Sequence, residues 1–314
     1  MVGKRIVLTG AGGQVGWPVA RALAADNEVF AVARFSQESD RDRLTALGVR
    51  CVKADLADGD LSALPSDPDC VLHFAVSKTG TNAVVDPSGA DPGDWDYDLA
   101  ANAEGIGRLM AQCRDAGAVL HCSTTGVYKH KGHAPLLESD PLGDNHGIIL
   151  PTYSICKIAA EAVVRFAAKT FGLPTTIARL NVPYGDNGGW PATHLDMMLA
   201  GQPIPVHTES PSLYCPIHED DIIGQIPGML AAASVPATIL NWGGATQVSI
   251  EEWCEYMGSL VGVKPEFVKT DLTLGSVVVD TSQLEKRVGL PKQDWHEGFR
   301  SMIRAQHPEL TLQG

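Results

Sequence analysis

The chain has 314 residues, 44% hydrophobic and 19% charged, with a formal net charge of −13 at pH 7. That is enough chain for one large globular unit with a smaller lobe. The acidic balance repels nucleic acid and anionic membranes and excludes both as expected partners. No run of about 18 apolar residues is present, so no transmembrane helix is expected. The seven cysteines are scattered, odd in number and never spaced C-x-x-C. They read as reduced thiols, and with an opening MVGKRIVLTG that lacks a signal-peptide layout the expected location is cytoplasmic.

In chain order, Arg5–Thr9, Val29–Ala33, Val49–Lys53, Cys70–Ala75, Ala118–Ser123 and Thr175–Leu180 are short apolar runs that predict buried strands. Between them, Val15–Ala25, Arg41–Leu47, Leu99–Ala116 and Tyr153–Phe171 carry apolar residues at helical spacing. Alternation of this kind predicts an α/β fold: a doubly wound parallel sheet of the Rossmann type. The expected division is a dinucleotide-binding domain over 1–180 and a smaller, interleaved substrate-binding lobe over 181–314. Residues 236–248 are expected to return to the main sheet. Past residue 181, Pro and Gly become frequent, and the lobe shows a strand at Thr238–Trp242, a helix over Ser249–Val261, an apolar run at Val277–Val279 and a helix over 295–306. Residues 78–98 read as a long polar loop.

Thr9 to Gly16 reads TGAGGQVG, between a strand and a helix. That is the setting in which glycines let backbone amides approach a pyrophosphate. Gly10 permits the tight turn, Gly13 the approach, and Gly16 the close helix–strand packing. The second strand ends in Ala33-Arg34-Phe35-Ser36 with no carboxylate for a ribose 2′-hydroxyl. Arg34 therefore points to NADP, with NAD as the alternative.

In PTYSICK, Tyr153 and Lys157 are four residues apart and share one helix face. A cation about 5 Å from a phenol, at an effective dielectric near 20, favours the phenolate by roughly 3 kcal/mol, or about two pKa units. This predicts a Tyr153 poised for proton transfer. Thr124 and Thr125, at the end of the fifth strand, face the crevice expected for a ligand. His130 and His133 lack further partners at ligand spacing, so no metal site is expected. Trp242, Trp253 and Trp295 read as packing residues.

TGAGGQVG, the pair Asp55-Leu56, HFAVSK at 73–78, Asn102, STTGVY, YSICK, HEDD at 218–221 and LNWGG at 240–244 together resemble the extended short-chain dehydrogenases/reductases of the NAD-dependent epimerase/dehydratase group. The resemblance spans nearly the whole chain. It implies cofactor contacts at Gly10, Gly13, Gln14, Val15, Gly16, Arg34, Asp55, Leu56, Ala75, Val76, Lys78 and Asn102, as well as Tyr153 and Lys157. It assigns the active hydroxyl to Thr124 and the catalytic pair to Tyr153 and Lys157, and implies substrate contacts at Ser77, Thr125, Asn181 and Tyr214. A homodimer through helices 95–116 and 152–171 is a further implication. The dehydratases of the group resemble T-D-E where this chain has Thr124-Thr125-Gly126, so elimination of water is not expected. No Lys or Arg occurs over 181–263, where a diphosphate would need partners. The expected function is therefore an NAD(P)-dependent oxidoreductase that interconverts a carbonyl and a secondary alcohol on a small non-nucleotide substrate. The alternatives are a UDP-hexose 4-epimerase and a non-catalytic NADP-binding sensor.

Overall fold

A computed structural model describes residues 1–80 and 91–313. Residues 81–90, the middle of the polar loop expected over 78–98, lie outside the described residues. Strands β1 (Arg5–Thr9), β2 (Glu28–Ala33), β3 (Arg50–Lys53), β4 (Cys70–His73), β5 (Val119–Thr124) and β6 (Thr175–Leu180) form one sheet with the strand Thr238–Trp242. The order is Thr238–Trp242, β6, β5, β4, β1, β2, β3, and every pairing is parallel. The chain winds outward in both directions from β1 and β4, so their carboxyl ends open the crevice in which such sheets bind ligands.

Alternate residues of β1 serve opposite layers. Ile6 and Leu8 pack with the helices Gly16–Ala24 and Glu219–Ala231, while Val7 packs with Gly105–Gln112 and Tyr153–Phe171. Burial on both faces explains why these strands read as continuous apolar runs. The long helix Tyr153–Phe171 ends at Gly172, whose φ of +63° forms a left-handed cap. A third core gathers Tyr184, Leu195, Tyr214, Trp253 and Phe299 in the lobe. Trp242 is fully buried with its indole N–H on Gln225 Oε1 at 2.8 Å, and Trp253 likewise donates to His194 Nδ1 at 3.0 Å.

Four elements differ from the sequence expectation. The helix Trp190–Leu199 carries Pro191 in its first turn, where no backbone N–H is needed, and Glu219–Ala231 carries Pro227 within it. Pro191 falls in the stretch NVPYGDNGGWP, whose frequent Pro and Gly read as loop. The helix expected over Leu99–Ala116 is an α-helix at Trp95–Leu99, a π turn at Ala100–Glu104 and an α-helix at Gly105–Gln112. Val277–Val279 contributes only a bridge, from Val279 to Leu136.

Candidate active site

One cavity of about 560 Å³ runs along the carboxyl ends of the strands, from the glycine loop to Thr124, Tyr153 and Lys157. At the loop, Gly13 N–H donates to Gly10 O at 2.9 Å and Trp17 N–H to Gly13 O at 3.0 Å, which turns the chain directly into the first helix. Gly10 has a φ of +71°, and a Cβ there would stand 2.7 Å from Ala75 N. A Cβ on Gly16 would lie 2.1 Å from Gly10 O. Neither position has room for a side chain. At Gly13, only Gly10 O, at 3.3 Å, would meet a Cβ. A bare backbone with room on one side, at a helix start, fits a dinucleotide pyrophosphate. Gln14 Nε2 donates to Pro183 O of the lobe at 2.8 Å, and Asn187 Nδ2 of the lobe donates to Gln14 O at 2.8 Å, so two hydrogen bonds tie the loop to the lobe.

At the far end of the cavity Arg34, Tyr97 and Asp55 form a chain. Arg34 Nη1 donates to the Tyr97 hydroxyl at 2.7 Å, and that hydroxyl donates to Asp55 Oδ2 at 2.9 Å. Ser36 and Asp40 share this wall. Tyr97 escaped the sequence reading because it lies 42 residues from Asp55, in a stretch that read as loop.

Deep in the same cavity, helix Tyr153–Phe171 brings Tyr153 and Lys157 to one face beside Thr124. Lys157 is 4% exposed, and its Nζ donates to Cys122 O at 3.0 Å. Burial pulls Lys157 below its ordinary value, opposed by Cys122 and Glu161. Tyr153 is pushed up to about 12 by burial, with hydrogen bonding to Thr124 pulling the other way. This corrects the expected lowering by Lys157: the ammonium is turned to a backbone carbonyl, and loss of solvent outweighs it. Without a ligand, Tyr153 is a neutral phenol at pH 7, ready to donate.

The loop that carries Ala75, Val76, Ser77 and Lys78 is held from behind. Asn102 Oδ1 accepts from Ser77 N at 2.9 Å and its Nδ2 donates to Ser77 O at 2.8 Å. Asp98 Oδ2 accepts from Thr79 N at 2.7 Å and from the Thr152 hydroxyl at 2.6 Å, tying Lys78's neighbour to Tyr153's. The structure brings every sequence-expected site residue to the cavity wall except Asn102, Thr125 and Tyr214. Asn102 is 3% exposed and holds the loop that lines the cavity. The Thr125 hydroxyl accepts from Asn181 Nδ2 at 3.2 Å. Tyr214 lies in the lobe core, its hydroxyl donating to Gly275 O at 2.7 Å, because its ring packs with Trp190 and Trp253. Asn181 is engaged on both sides: Nδ2 also donates to Val277 O, and Oδ1 accepts from Cys215 N. Among the described residues, no three His, Cys, Asp or Glu side chains cluster to hold a metal, and no helix is long and apolar enough to cross a membrane.

The glycine loop and the side chains of Thr124, Tyr153 and Lys157 line one cavity. The sequence pattern of the NAD dependent epimerase/dehydratase family matches residues 6–213, and the chain belongs to that family, among enzymes of the extended short-chain type. It is 24% identical, over 98% of its length, to a trifunctional UDP-glucose 4,6-dehydratase/UDP-4-keto-6-deoxy-D-glucose 3,5-epimerase/UDP-4-keto-L-rhamnose-reductase of Arabidopsis thaliana. It spans 48% of that relative. Its fold is similar to that of a UDP-N-acetylglucosamine 4-epimerase from Methanobrevibacter ruminantium M1, solved in complex with UDP-N-acetylmuramic acid, at TM-score 0.82 and 18% identity, covering 99% of this chain and 100% of that one. A UDP-glucuronic acid 4-epimerase from Bacillus cereus, solved with UDP-glucuronic acid and NAD, matches at TM-score 0.79 and 19% identity, covering 96% and 98%.

Proposed function

We propose that the chain interconverts a secondary alcohol and a ketone on the sugar ring of a nucleotide sugar, with NAD or NADP held along the cavity. The observation that carries this reading is the single cavity that joins the glycine loop to Thr124, Tyr153 and Lys157. The relatives' nucleotide-sugar activities and ligands support this substrate class, and so favour the epimerase alternative over the small non-nucleotide substrate expected from the scarcity of cations. The dinucleotide, when bound, supplies or accepts a hydride at the reacting carbon. The chain's own residues do the rest. Thr124 hydrogen-bonds the substrate oxygen, and Tyr153 gives that oxygen a proton or takes one from it. Lys157 provides the buried positive charge behind them. Thr125 and Gly126 offer no acid to a leaving hydroxyl, which argues against elimination of water.

Arg34 and Ser36 on the wall support NADP, whereas the NAD in the Bacillus cereus neighbour supports NAD. Exposed Ile155 and Phe166 on helix Tyr153–Phe171 support a homodimer through that face. Calorimetry of the cofactor-loaded protein with UDP- and dTDP-sugars, followed by product analysis, tests the reading. Micromolar binding with change at one ring carbinol is the expected result. Absence of binding across the panel, with turnover of a free hydroxy-ketone, would overturn it.

A further inference from the structure

Behind the cavity lies a carboxylate that the hydride reaction does not use. Asp98 is fully buried and does not line the cavity. Its Oδ2 accepts three hydrogen bonds: from Thr79 N at 2.7 Å, from the Thr79 hydroxyl at 2.8 Å and from the Thr152 hydroxyl at 2.6 Å. Burial pushes the carboxyl up, but hydrogen bonds from Ser77, Thr152 and Thr79 offset this and hold it below its ordinary value. The group is therefore an ion at pH 7, which can only accept. Its backbone is tied to the same loop, since Asn102, whose amide grips Ser77, also donates from Nδ2 to Asp98 O at 2.8 Å.

The donors come from two segments that each reach the cavity. Ser77 and Lys78 line it, and Thr79 follows them. Thr152 precedes Tyr153 and stands at the N-cap of helix Tyr153–Phe171. A threonine there ordinarily accepts from a backbone amide of the first turn. Here the side chain caps nothing, and its hydroxyl goes to Asp98. Cys156 N donates to Thr152 O at 3.0 Å, so Thr152 is also the first link of the helix.

We propose that Asp98 is a positioning residue that couples the loop Ala75–Lys78 to Tyr153, so that a dinucleotide seated against the loop sets the phenol for proton transfer. This deepens the reading above and rests on it. Asp98 touches no reacting atom and acts through Thr152. Three donors converge on one oxygen, and none can turn away without leaving a buried charge short of partners. A shift of the loop is therefore passed to Thr152 and to the first turn that carries Tyr153. Placement matters because a misplacement of about 1 Å can cost about 10²-fold in rate.

One arm of the test needs only cofactor. Backbone hydrogen exchange is followed by mass spectrometry with and without saturating NADH or NADPH. In the parent, cofactor should slow exchange over residues 152–160 as well as at the glycine loop. Thr152→Val keeps the shape and removes the hydroxyl. It should keep the slowing at the glycine loop and lose it by about 10-fold over 152–160. Asp98→Asn, which removes the charge, should do the same, and Thr152→Ser, which keeps the hydroxyl, should match the parent. The second arm uses whichever UDP- or dTDP-sugar the parent converts. Thr152→Val should lower kcat by roughly 10-fold or more and leave KM for the cofactor within about twofold. In a Tyr153→Phe background no phenol proton is left to position, so the same substitution should cost nothing further. Three results would each overturn this inference alone: no slowing over 152–160 in the parent, equal slowing in Thr152→Val, or an equal loss of turnover with and without the phenol. Parent-like turnover by Tyr153→Phe, or failure of the parent to bind either cofactor, would overturn the proposed function, and this inference with it.

Discussion

The Ser123 hydroxyl donates to Glu161 Oε1 at 2.6 Å, and Arg179 grips the same carboxylate with Nε at 2.9 Å and Nη2 at 2.7 Å. Both Ser123 and Thr124 line the cavity, but the Ser123 hydroxyl is taken by the buried carboxylate. Glu161 lies one helical turn beyond Lys157, so one carboxylate braces both the end of β5 and the helix that bears Tyr153 and Lys157. Arg179 also donates from Nη1 to Glu138 O at 3.0 Å and lies 4.7 Å from the centre of the Tyr128 ring.

Both side chains of this pair are 3% exposed. Removing one partner from a buried pair strands the other charge without solvent. Glu161→Ala should therefore lose about 3–5 kcal/mol of stability, read as a shift in urea midpoint at unchanged slope. Ser123→Ala, which removes one hydrogen bond to a charged group, should cost about 1.5–3 kcal/mol. A Glu161→Ala variant as stable as the parent would show that solvent reaches Arg179.

Tyr153→Phe keeps the ring and its packing and removes the proton. It should bind cofactor like the parent and lose at least about 10²-fold in turnover. Thr124→Val should also fall in turnover, through loss of the hydrogen bond to the substrate oxygen, while Ser123→Ala should act through stability. Parent-like turnover by Tyr153→Phe on any accepted substrate would remove Tyr153 from the mechanism.

The parallel sheet was legible because strands buried on both faces read as unbroken apolar runs, and the glycine loop because Gly10 and Gly16 tolerate nothing larger. Helix Trp190–Leu199 was hidden by the Pro- and Gly-rich stretch before it, whose Pro191 the first turn accommodates. Local spacing placed Tyr153 beside Lys157 but could not show that the ammonium turns to Cys122 O, since that depends on a strand 35 residues away. Tyr214 read as a substrate residue by its motif position, yet tertiary packing takes it into the lobe core.

Acid should weaken the fold through two histidines beneath the site. His73 and His121 stack with ring centres 5.1 Å apart, and both are fully buried. Burial pulls His73 down to about 3 and His121 well below its ordinary value, and Lys157 adds to both. A depressed pKa means that the folded state holds each ring neutral. Their contribution is complete above the ordinary value of about 6.5 and is lost as pH falls below it towards the folded value. Both His121 nitrogens are buried without hydrogen-bond partners among the described residues, a desolvation cost of about 1–3 kcal/mol. His121→Leu should therefore match or exceed the parent's stability at pH 8 and exceed it by more at pH 5. Equal pH dependence in the two proteins would show that His121 is protonated or solvated in the fold.

Cofactor choice should turn on Arg34. Its guanidinium is exposed on the cavity wall and already holds the Tyr97 hydroxyl, which in turn holds Asp55. A 2′-phosphate would gain a charged hydrogen bond from Arg34, whereas a bare ribose hydroxyl would gain little. Arg34→Ala should weaken NADPH by about 1.5–3 kcal/mol and NADH by far less. The same variant frees Tyr97, so Tyr97→Phe separates the two effects: it releases Asp55 and Arg34 from the chain but leaves the guanidinium in place, and should preserve the preference for NADPH. Fluorescence titration of both reduced cofactors against the parent and the two variants decides it. Equal affinity of the parent for NADH and NADPH would make Arg34 a strut for Tyr97 and remove its role as a phosphate ligand.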